Sequence, residues 1–268
     1  MAPGPDTLSL SGKIAIVTGS GRENGIGAAI AYALGRNGAS VAINYVSDSS
    51  ADRATVVANK VKSLGGNAII VQADVETVEG AEKLIRDTLE GFVTDRIDIL
   101  INNAGFGAGQ GIPATEISAA DAEKNFRSNA LSSLYVTQAA AKHIPQGGRI
   151  INIGSVVSRL VNLPGVSAYG ASKAAQDYFT ASWAYELGRS KGVTVNTVAP
   201  GPTKTDAGTW YPAGEFQRIC GANILAQSKI EERAGQPEEV ADVVLLLTSE
   251  QARWITGQYI AASGGISW

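Results

Sequence analysis

The sequence is poor in the residues that build disulfide frameworks and metal centres. Its 268 residues include one cysteine, Cys220, and one histidine, His143. A lone cysteine excludes an internal disulfide framework. One residue of each type leaves too few soft ligands for a zinc site, so no metal is expected. His143 precedes Ile144 and Pro145 near the end of an expected helix and reads as a surface or capping residue. An excess of one charge is also missing. Lys and Arg total 22 against 25 Asp and Glu, a formal net charge of −3, which gives no electrostatic reason to expect nucleic acid or an anionic membrane as partner. No apolar run approaches the roughly 20 residues that a membrane-spanning helix needs. Residues Met1 to Gly12 lack the apolar core and basic flank of a secretory signal. The expectation is therefore a cytoplasmic protein.

Glycine, by contrast, is abundant at 31 residues, as suits many tight turns and close backbone approaches. The length suits one large α/β domain. Short apolar runs at 13–18, 40–45, 67–72, 97–101, 149–153, 193–198 and 258–262 read as buried strands. Between them, 25–36, 50–64, 76–91, 119–143 (one or two helices), 167–189 and 237–249 read as helices, and Gly65 and Gly66 stop the second. Continuous apolar strands alternating with helices predict a Rossmann-like, doubly wound parallel sheet of about seven strands, with helices on both faces. No linker or repeat divides the chain, so residues 1–268 read as a single dinucleotide-binding catalytic domain. The exception in texture is the Gly-, Pro- and Thr-rich stretch from Pro200 to Ile230, which has the length and weak periodicity of a functional loop.

The first strand runs into a glycine-rich turn, Thr18 to Gly27, that opens a helix. Gly19, Gly25 and Gly27, with Ile26 between the last two, let the backbone approach a pyrophosphate placed at the helix N-terminus. A glycine turn alone is weak evidence; its place between the first strand and first helix strengthens it. The second strand ends at Tyr45 and is followed by Val46 and Ser47, with no acid before Asp48; Tyr45 and Ser47 are expected to touch the cofactor. An acid there would bond a ribose 2′-hydroxyl; its absence removes repulsion of a 2′-phosphate, which Arg22 of the turn could pair with. NADPH (NADP+) is the expected cofactor, although Arg22 could instead be an ordinary solvated arginine. Asp74, after the third strand, could accept from an adenine amino group beside the Val75 backbone, cap the following helix, or do both. Asn102, Ala104 and Gly105, after the fourth strand, are small enough to leave room for ribose and nicotinamide.

Tyr169 and Lys173 are four residues apart on an expected helix and so share a face. A tyrosine near pKa 10 is a poor acid at neutral pH, and a neighbouring ammonium favours the phenolate. The phenol could then protonate a carbonyl oxygen as hydride arrives. Ser155, just past the fifth strand, could hydrogen-bond the same oxygen, and Asn129 could hold a water linking Lys173 to solvent. A surface ion or polar pair is the bland reading of Tyr-x-x-x-Lys in isolation; its place after the fifth strand, 14 residues beyond Ser155, argues against that reading.

These segments together make the chain resemble the short-chain dehydrogenase/reductase family, of the compact single-domain kind. The resemblance spans Lys13 to Gly265 and rests on Thr18–Gly27, Asn102–Gly105, Asn129, Ser155, Tyr169–Lys173 and Pro200–Gly201. Within the family the chain is similar to β-ketoacyl reductases and to aromatic polyketide reductases of hydroxynaphthalene or versicolorin type, through Ile43–Tyr45 and Ala199–Asp206. The resemblance implies a catalytic tetrad of Asn129, Ser155, Tyr169 and Lys173, with Tyr169 and Lys173 also touching the nicotinamide ribose. It implies that Pro200, Gly201, Thr203 and Thr205 line the cofactor, the two threonines meeting its carboxamide and phosphate. It also implies a homo-oligomer, a tetramer or dimer, packed through the helices at 122–143 and 167–189 and the last strand. One departure stands out: five residues, Ser20 to Asn24, separate Thr-Gly from Gly-x-Gly where the family usually has three.

The reaction so implied is hydride transfer from NADPH to a small-molecule ketone, with Tyr169 as general acid. Alcohol oxidation at the same site is the nearest alternative, and isomerisation or cyclisation on a reductase-like scaffold, or a dinucleotide sensor without turnover, are the others. A substrate lid is expected at about 206–230, with Trp210, Tyr211, Phe216, Ile219 and Leu225. Arg159, Leu160, Val161 and Leu163 are expected to line the same pocket. Such apolar and aromatic residues suit a planar or hydrophobic substrate, although core packing of the loop would also use them. Trp268 could dock on a neighbouring subunit or fray.

Overall fold

The computed structural model describes residues 8–160, 163, 165–206 and 222–267. The expected lid residues Trp210, Tyr211, Phe216 and Ile219, together with Val161, Cys220 and Trp268, lie outside the described residues. Strands β1 (Ile14–Val17), β2 (Ser40–Tyr45), β3 (Asn67–Gln72), β4 (Ile99–Asn102), β5 (Arg149–Ile153), β6 (Thr194–Pro200) and β7 (Tyr259–Ala262) form one sheet. Their order is β3-β2-β1-β4-β5-β6-β7, and every neighbouring pair is parallel. Between them lie helices α1 (Ile26–Arg36), α2 (Ala51–Ser63), α3 (Val78–Phe92), α4 (Ala119–Phe126), α5 (Ser132–Ala140), α6 (Ser167–Lys191) and, after a short turn of helix at Ala222–Leu225, α7 (Pro237–Thr248).

Strand side chains alternate between faces, and the core divides accordingly. Ala15, Val17, Val41, Ile43, Ile99, Ile101 and Ile151 pack on one side with α1, α2 and α7. Ile16, Ala42, Leu100, Ile150 and Val195 pack on the other with α3, α5 and α6, through Leu84, Val136 and Trp183. Both faces are thus covered, which is why the strands read as unbroken apolar runs. The strand order reverses between β1 and β4, both of which start from the middle of the sheet. A crevice at the carboxyl ends of the strands is expected there.

Strand and helix limits follow the sequence reading to within a few residues, with two informative differences. The 119–143 helix is three pieces: α4, a π-helical segment at Arg127–Leu131, and α5. The third helix starts at Val78 rather than at Glu76, because Thr77 is its cap, its hydroxyl accepting from the Gly80 amide at 3.0 Å. The capping role considered for Asp74 therefore belongs to Thr77. Asp74 makes a turn one step earlier, its Oδ1 accepting from the Glu76 amide at 3.0 Å. His143 lies just past α5 and bonds the Asp95 carbonyl through Nδ1 at 3.0 Å.

Candidate active site

A cleft of ≈ 770 Å³ opens at the switch point. Its nucleotide end begins with the turn after β1. The Gly19 amide donates to Oδ1 of buried Asn44 at 3.0 Å, and the Asn44 amide nitrogen in turn donates to the Ala73 carbonyl at 3.0 Å. One side chain at the end of β2 thereby fixes the turns that follow β1 and β3. Gly27 must be glycine, since a Cβ there would stand 2.5 Å from Asn103 Nδ2 and 2.9 Å from the Ser20 Cα. The α1 N-cap is Gly25, with no side-chain cap bond and no acid in the first turn. Amides of that turn and the positive end of the helix dipole are therefore directed at the cleft, a donor set that fits a pyrophosphate.

The lengthened turn is anchored at its far end. Glu23 accepts from Arg53 Nε on α2 at 2.6 Å, and Arg53 also pairs with Asp206, beyond β6. The Arg53 guanidinium holds the carboxyls of Glu23 and Asp206 below the usual range, and Asn24 also bonds Asp206. The longer turn is thus tied both to α2 and to the segment leading toward the expected lid. Arg22 lines the cleft beside this cluster, its charge acting on Asp206.

At the chemical end, Tyr169 is half-buried and Lys173 and Ser155 are buried, and all three line the same cleft. Ser155 caps a short turn after β5, its Oγ accepting from the Val157 amide at 3.2 Å, which leaves the hydroxyl hydrogen able to donate. Lys173 is 3 % exposed and donates to the Ile153 carbonyl at 2.7 Å and to Gln176 Oε1 at 3.3 Å. Burial pushes its ammonium down to about 8, and the nearby charge of Asp177 opposes that fall. Asn129 sits in the π-helical segment, fully buried. Its side chain accepts from the Phe106 amide at 3.0 Å and donates to the Phe106 carbonyl at 2.8 Å and to Ser172 Oγ at 3.0 Å. Ser172 Oγ donates to the Tyr169 carbonyl at 2.7 Å. The Asn129 side chain thereby holds the Phe106 loop and the turn that carries Tyr169, and Asn129 also lines the cleft.

Gly19, Arg22, Gly25, Ile26, Gly27, Tyr45, Asp74, Val75, Ala104, Gly105, Pro200, Gly201, Thr203 and Thr205 also line the cleft. Two expected contacts do not. Asn102 is turned away into the sheet–helix interface, where Nδ2 donates to Asn152 Oδ1 at 2.8 Å and to Thr137 Oγ1 at 3.0 Å. Strand alternation puts Asn103 in the cleft instead, its Nδ2 donating to the Thr18 carbonyl at 2.8 Å. Ser47 bonds Ser49 and Ser50 at 2.9 Å each, and Ser50 is the lining residue. Sequence reasoning also passed over Phe106 to Gln110, which form one wall of the cleft. Their signal was present: glycines at 105, 107, 109 and 111 alternate directly after β4. On the substrate side, Leu160, Leu163, Val166 and Ile224 add apolar wall. Arg159, expected there, stacks instead over the Tyr259 ring, 3.6 Å from its centroid.

A glycine turn at the switch point of a parallel sheet, with a phenol, a buried amine and a hydroxyl lining the crevice beyond it, fits an oxidoreductase of the Rossmann type. Residues 19–267 match the family model described as enoyl-(acyl carrier protein) reductase. The chain is 40 % identical over 257 residues to an uncharacterized oxidoreductase of Methylorubrum extorquens, covering 96 % of this chain and 98 % of the relative. It is 37 % identical to a probable tetrahydroxynaphthalene reductase of Zymoseptoria tritici, covering 98 % of both. Among solved structures it superposes on an angucycline C-6 ketoreductase with bound NADP at TM-score 0.86, with 35 % identity over 96 % of both chains. The chain belongs to the short-chain dehydrogenase/reductase family, and it is an oxidoreductase acting on small molecules. Among the described residues, no helix is long and apolar enough to cross a membrane.

Proposed function

We propose that this enzyme is an NADPH-dependent reductase that delivers hydride to the ketone of a small hydrophobic or aromatic, polyketide-like substrate, with Tyr169 as general acid. The observation that carries the reading is the convergence of Ser155, Tyr169 and Lys173 in one cleft with the uncapped N-terminus of α1. NADPH, when bound, supplies the hydride. The amides of the α1 N-terminus and the Gly19 turn hold its pyrophosphate, and Arg22, with no acid at the end of β2, donates to the 2′-phosphate. The Ser155 hydroxyl donates to the carbonyl oxygen and orients it. Tyr169 gives its proton to that oxygen as charge develops, and the Lys173 ammonium favours the phenolate left behind. Lys173 must be protonated for this, so activity falls as pH rises through its titration.

The substrate class is supported by the apolar wall of Phe106, Leu160, Leu163, Val166 and Ile224, and by the named activities of the relatives. Versicolorin reductase of Emericella nidulans, 36 % identical over 272 residues, is one such relative. Residues 1–268 act as one catalytic domain, with 206–230 as its lid. Exposed Phe126 on α4 and Tyr178 and Tyr185 on α6 suit burial between subunits, so the enzyme works as a homo-oligomer; light scattering giving a monomer mass would refute this. The test of function is NADPH oxidation against β-ketoacyl thioesters, hydroxynaphthalenones, anthraquinones, steroids and an enoyl thioester. An aromatic ketone should be the best substrate. The Tyr169→Phe variant should lose about 1,000-fold or more in kcat while binding NADPH nearly as before; near-full activity in that variant refutes the acid assignment.

A further inference from the structure

Behind the site runs a line of polar side chains that the proposed reaction does not use. Gln176 lies one helical turn beyond Lys173 on α6 and is wholly buried. A buried carboxamide must find partners for its oxygen and its hydrogens. The oxygen takes the Lys173 ammonium at 3.3 Å. The nitrogen donates to Ser133 Oγ on α5 at 2.6 Å, and the Ser133 hydroxyl donates to the Asn129 carbonyl at 3.0 Å. Ser133 is 2 % exposed and Asn129 is 0 % exposed. The chain of donors runs one way, from the ammonium through amide and hydroxyl to a carbonyl of the π-helical segment. A cation at its head polarises each link toward the next. An amide does not relay protons readily, so this line orients and stabilises rather than conducts.

We propose that Gln176 and Ser133 are positioning residues for Lys173: a buried strut that holds its ammonium at the reacting end of the cleft and ties it to the turn carrying Asn129. The inference rests on the functional reading only in giving Lys173 its role; the strut itself is a matter of side-chain geometry. Apolar residues at both positions would pack well between α5 and α6, and they would leave the ammonium with the Ile153 carbonyl but without this second, side-chain acceptor. The charged and titratable groups around it are few. On its own helix are Tyr169 and Asp177, of which Asp177 favours the ammonium. Arg159, after β5, favours the ionised form of Asp177, and the charge of Asp177 in turn acts on Tyr259 of β7. Asp121 of α4 and Glu76, ahead of α3, line the cleft. The π-helical segment contributes exposed Arg127 and α5 contributes Tyr135. Against that background the strut sets how readily Lys173 keeps its proton.

The test is an NMR titration of Lys173 in the full-length protein labelled at lysine Cε and Nζ, its signal assigned by absence from Lys173→Met. Gln176→Leu removes the acceptor and should lower the titration midpoint by about one pH unit. Gln176→Glu places a carboxylate at the same point and should raise it by a similar amount. Ser133→Ala breaks the middle link and should lower it by less than Gln176→Leu. Opposite signs for the Leu and Glu variants are the signature, because loss of packing alone would not reverse with the acceptor's charge. Equal signs, or midpoints all within about 0.2 unit of wild type, overturn the proposal. Should Gln176→Leu fail to fold, Ser133→Ala and Gln176→Glu carry the same opposite-sign test. The titration needs no substrate, so a chain that reduced no ketone would refute the functional reading and leave the strut to be judged separately. With a substrate in hand, the alkaline limb of kcat should move in the same order across the three variants.

Discussion

Lys173→Met should abolish turnover and yet cost the fold little near neutral pH, and the pH dependence of that trade can be worked from the structure. Burial brings the Lys173 ammonium to about 8 from its ordinary 10.5. Below pH 8 the folded protein therefore bears a desolvation cost of about 3 kcal/mol at this one group. The sign follows from proton counts. Between pH 8 and 10.5 the unfolded chain still holds the lysine proton and the folded chain has released it, so folding stability rises with pH across that window. Methionine has nearly the same length and no charge, so it escapes the cost. It also leaves the Ile153 carbonyl and Gln176 Oε1 without the donor they have now, at about 1 kcal/mol or more each. The two effects nearly offset at pH 7. They separate at higher pH, where wild type should gain about 3 kcal/mol relative to the variant, a relative rise in Tm of about 5–10 °C. Thermal unfolding of both ligand-free proteins from pH 7 to 10.5, followed by circular dichroism, measures this directly. Other groups titrating in the range cancel in the difference. A Tm gap that stays constant across the window would refute a buried, penalised ammonium, and with it the electrostatic account of the site.

Gly105→Ala should fold but lose about 10- to 100-fold in kcat, because its Cβ would stand 2.7 Å from Asn129 Oδ1 and 3.3 Å from Lys173 Nζ and must displace one of them; steady-state kinetics with an unchanged Tm would bear this out. Arg22→Ala should weaken NADPH binding about 10- to 100-fold and leave NADH affinity nearly unchanged; equal losses for both cofactors in fluorescence titrations would show that Arg22 does not meet the 2′-phosphate.

Much of the fold was legible because burial on both faces writes itself into the strands. Ile14–Val17 and Arg149–Ile153 are apolar along most of their length and are recognised without knowing their neighbours. Edge strand β3 has more exposed positions, Asn67 and Ile70 among them, and it was still found because its apolar residues are contiguous. That Ser155, Tyr169 and Lys173 would share one cleft was also legible, since their separations along the chain are set by one strand end and one helix face. What failed to show was parity and partnership. Asn102 and Asn103 are adjacent asparagines, and only the pleat of β4 decides which one looks into the cleft. Asp74 and Thr77 can each cap a helix; the choice depends on where the chain leaves β3. The π-helical segment at 127–131 has no periodicity of its own to announce it.

The contacts hidden from the sequence have a common form: they join residues far apart in the chain whose side chains could each have served elsewhere. Glu23 and Arg53 are 30 residues apart, and Arg53 and Asp206 are 153 apart. In isolation each is a solvated surface charge; together they anchor the lengthened glycine turn to α2 and to the segment after β6. Gln176 and Ser133 are 43 residues apart, and either alone reads as an unremarkable polar position on an amphipathic helix. Burial is what gives them meaning. A polar group that loses water must be matched, and the match here ends on the amine that the proposed chemistry depends on. The residues proposed to do the chemistry are thus readable from local spacing, and those proposed to tune it become visible only when α5 and α6 are laid side by side.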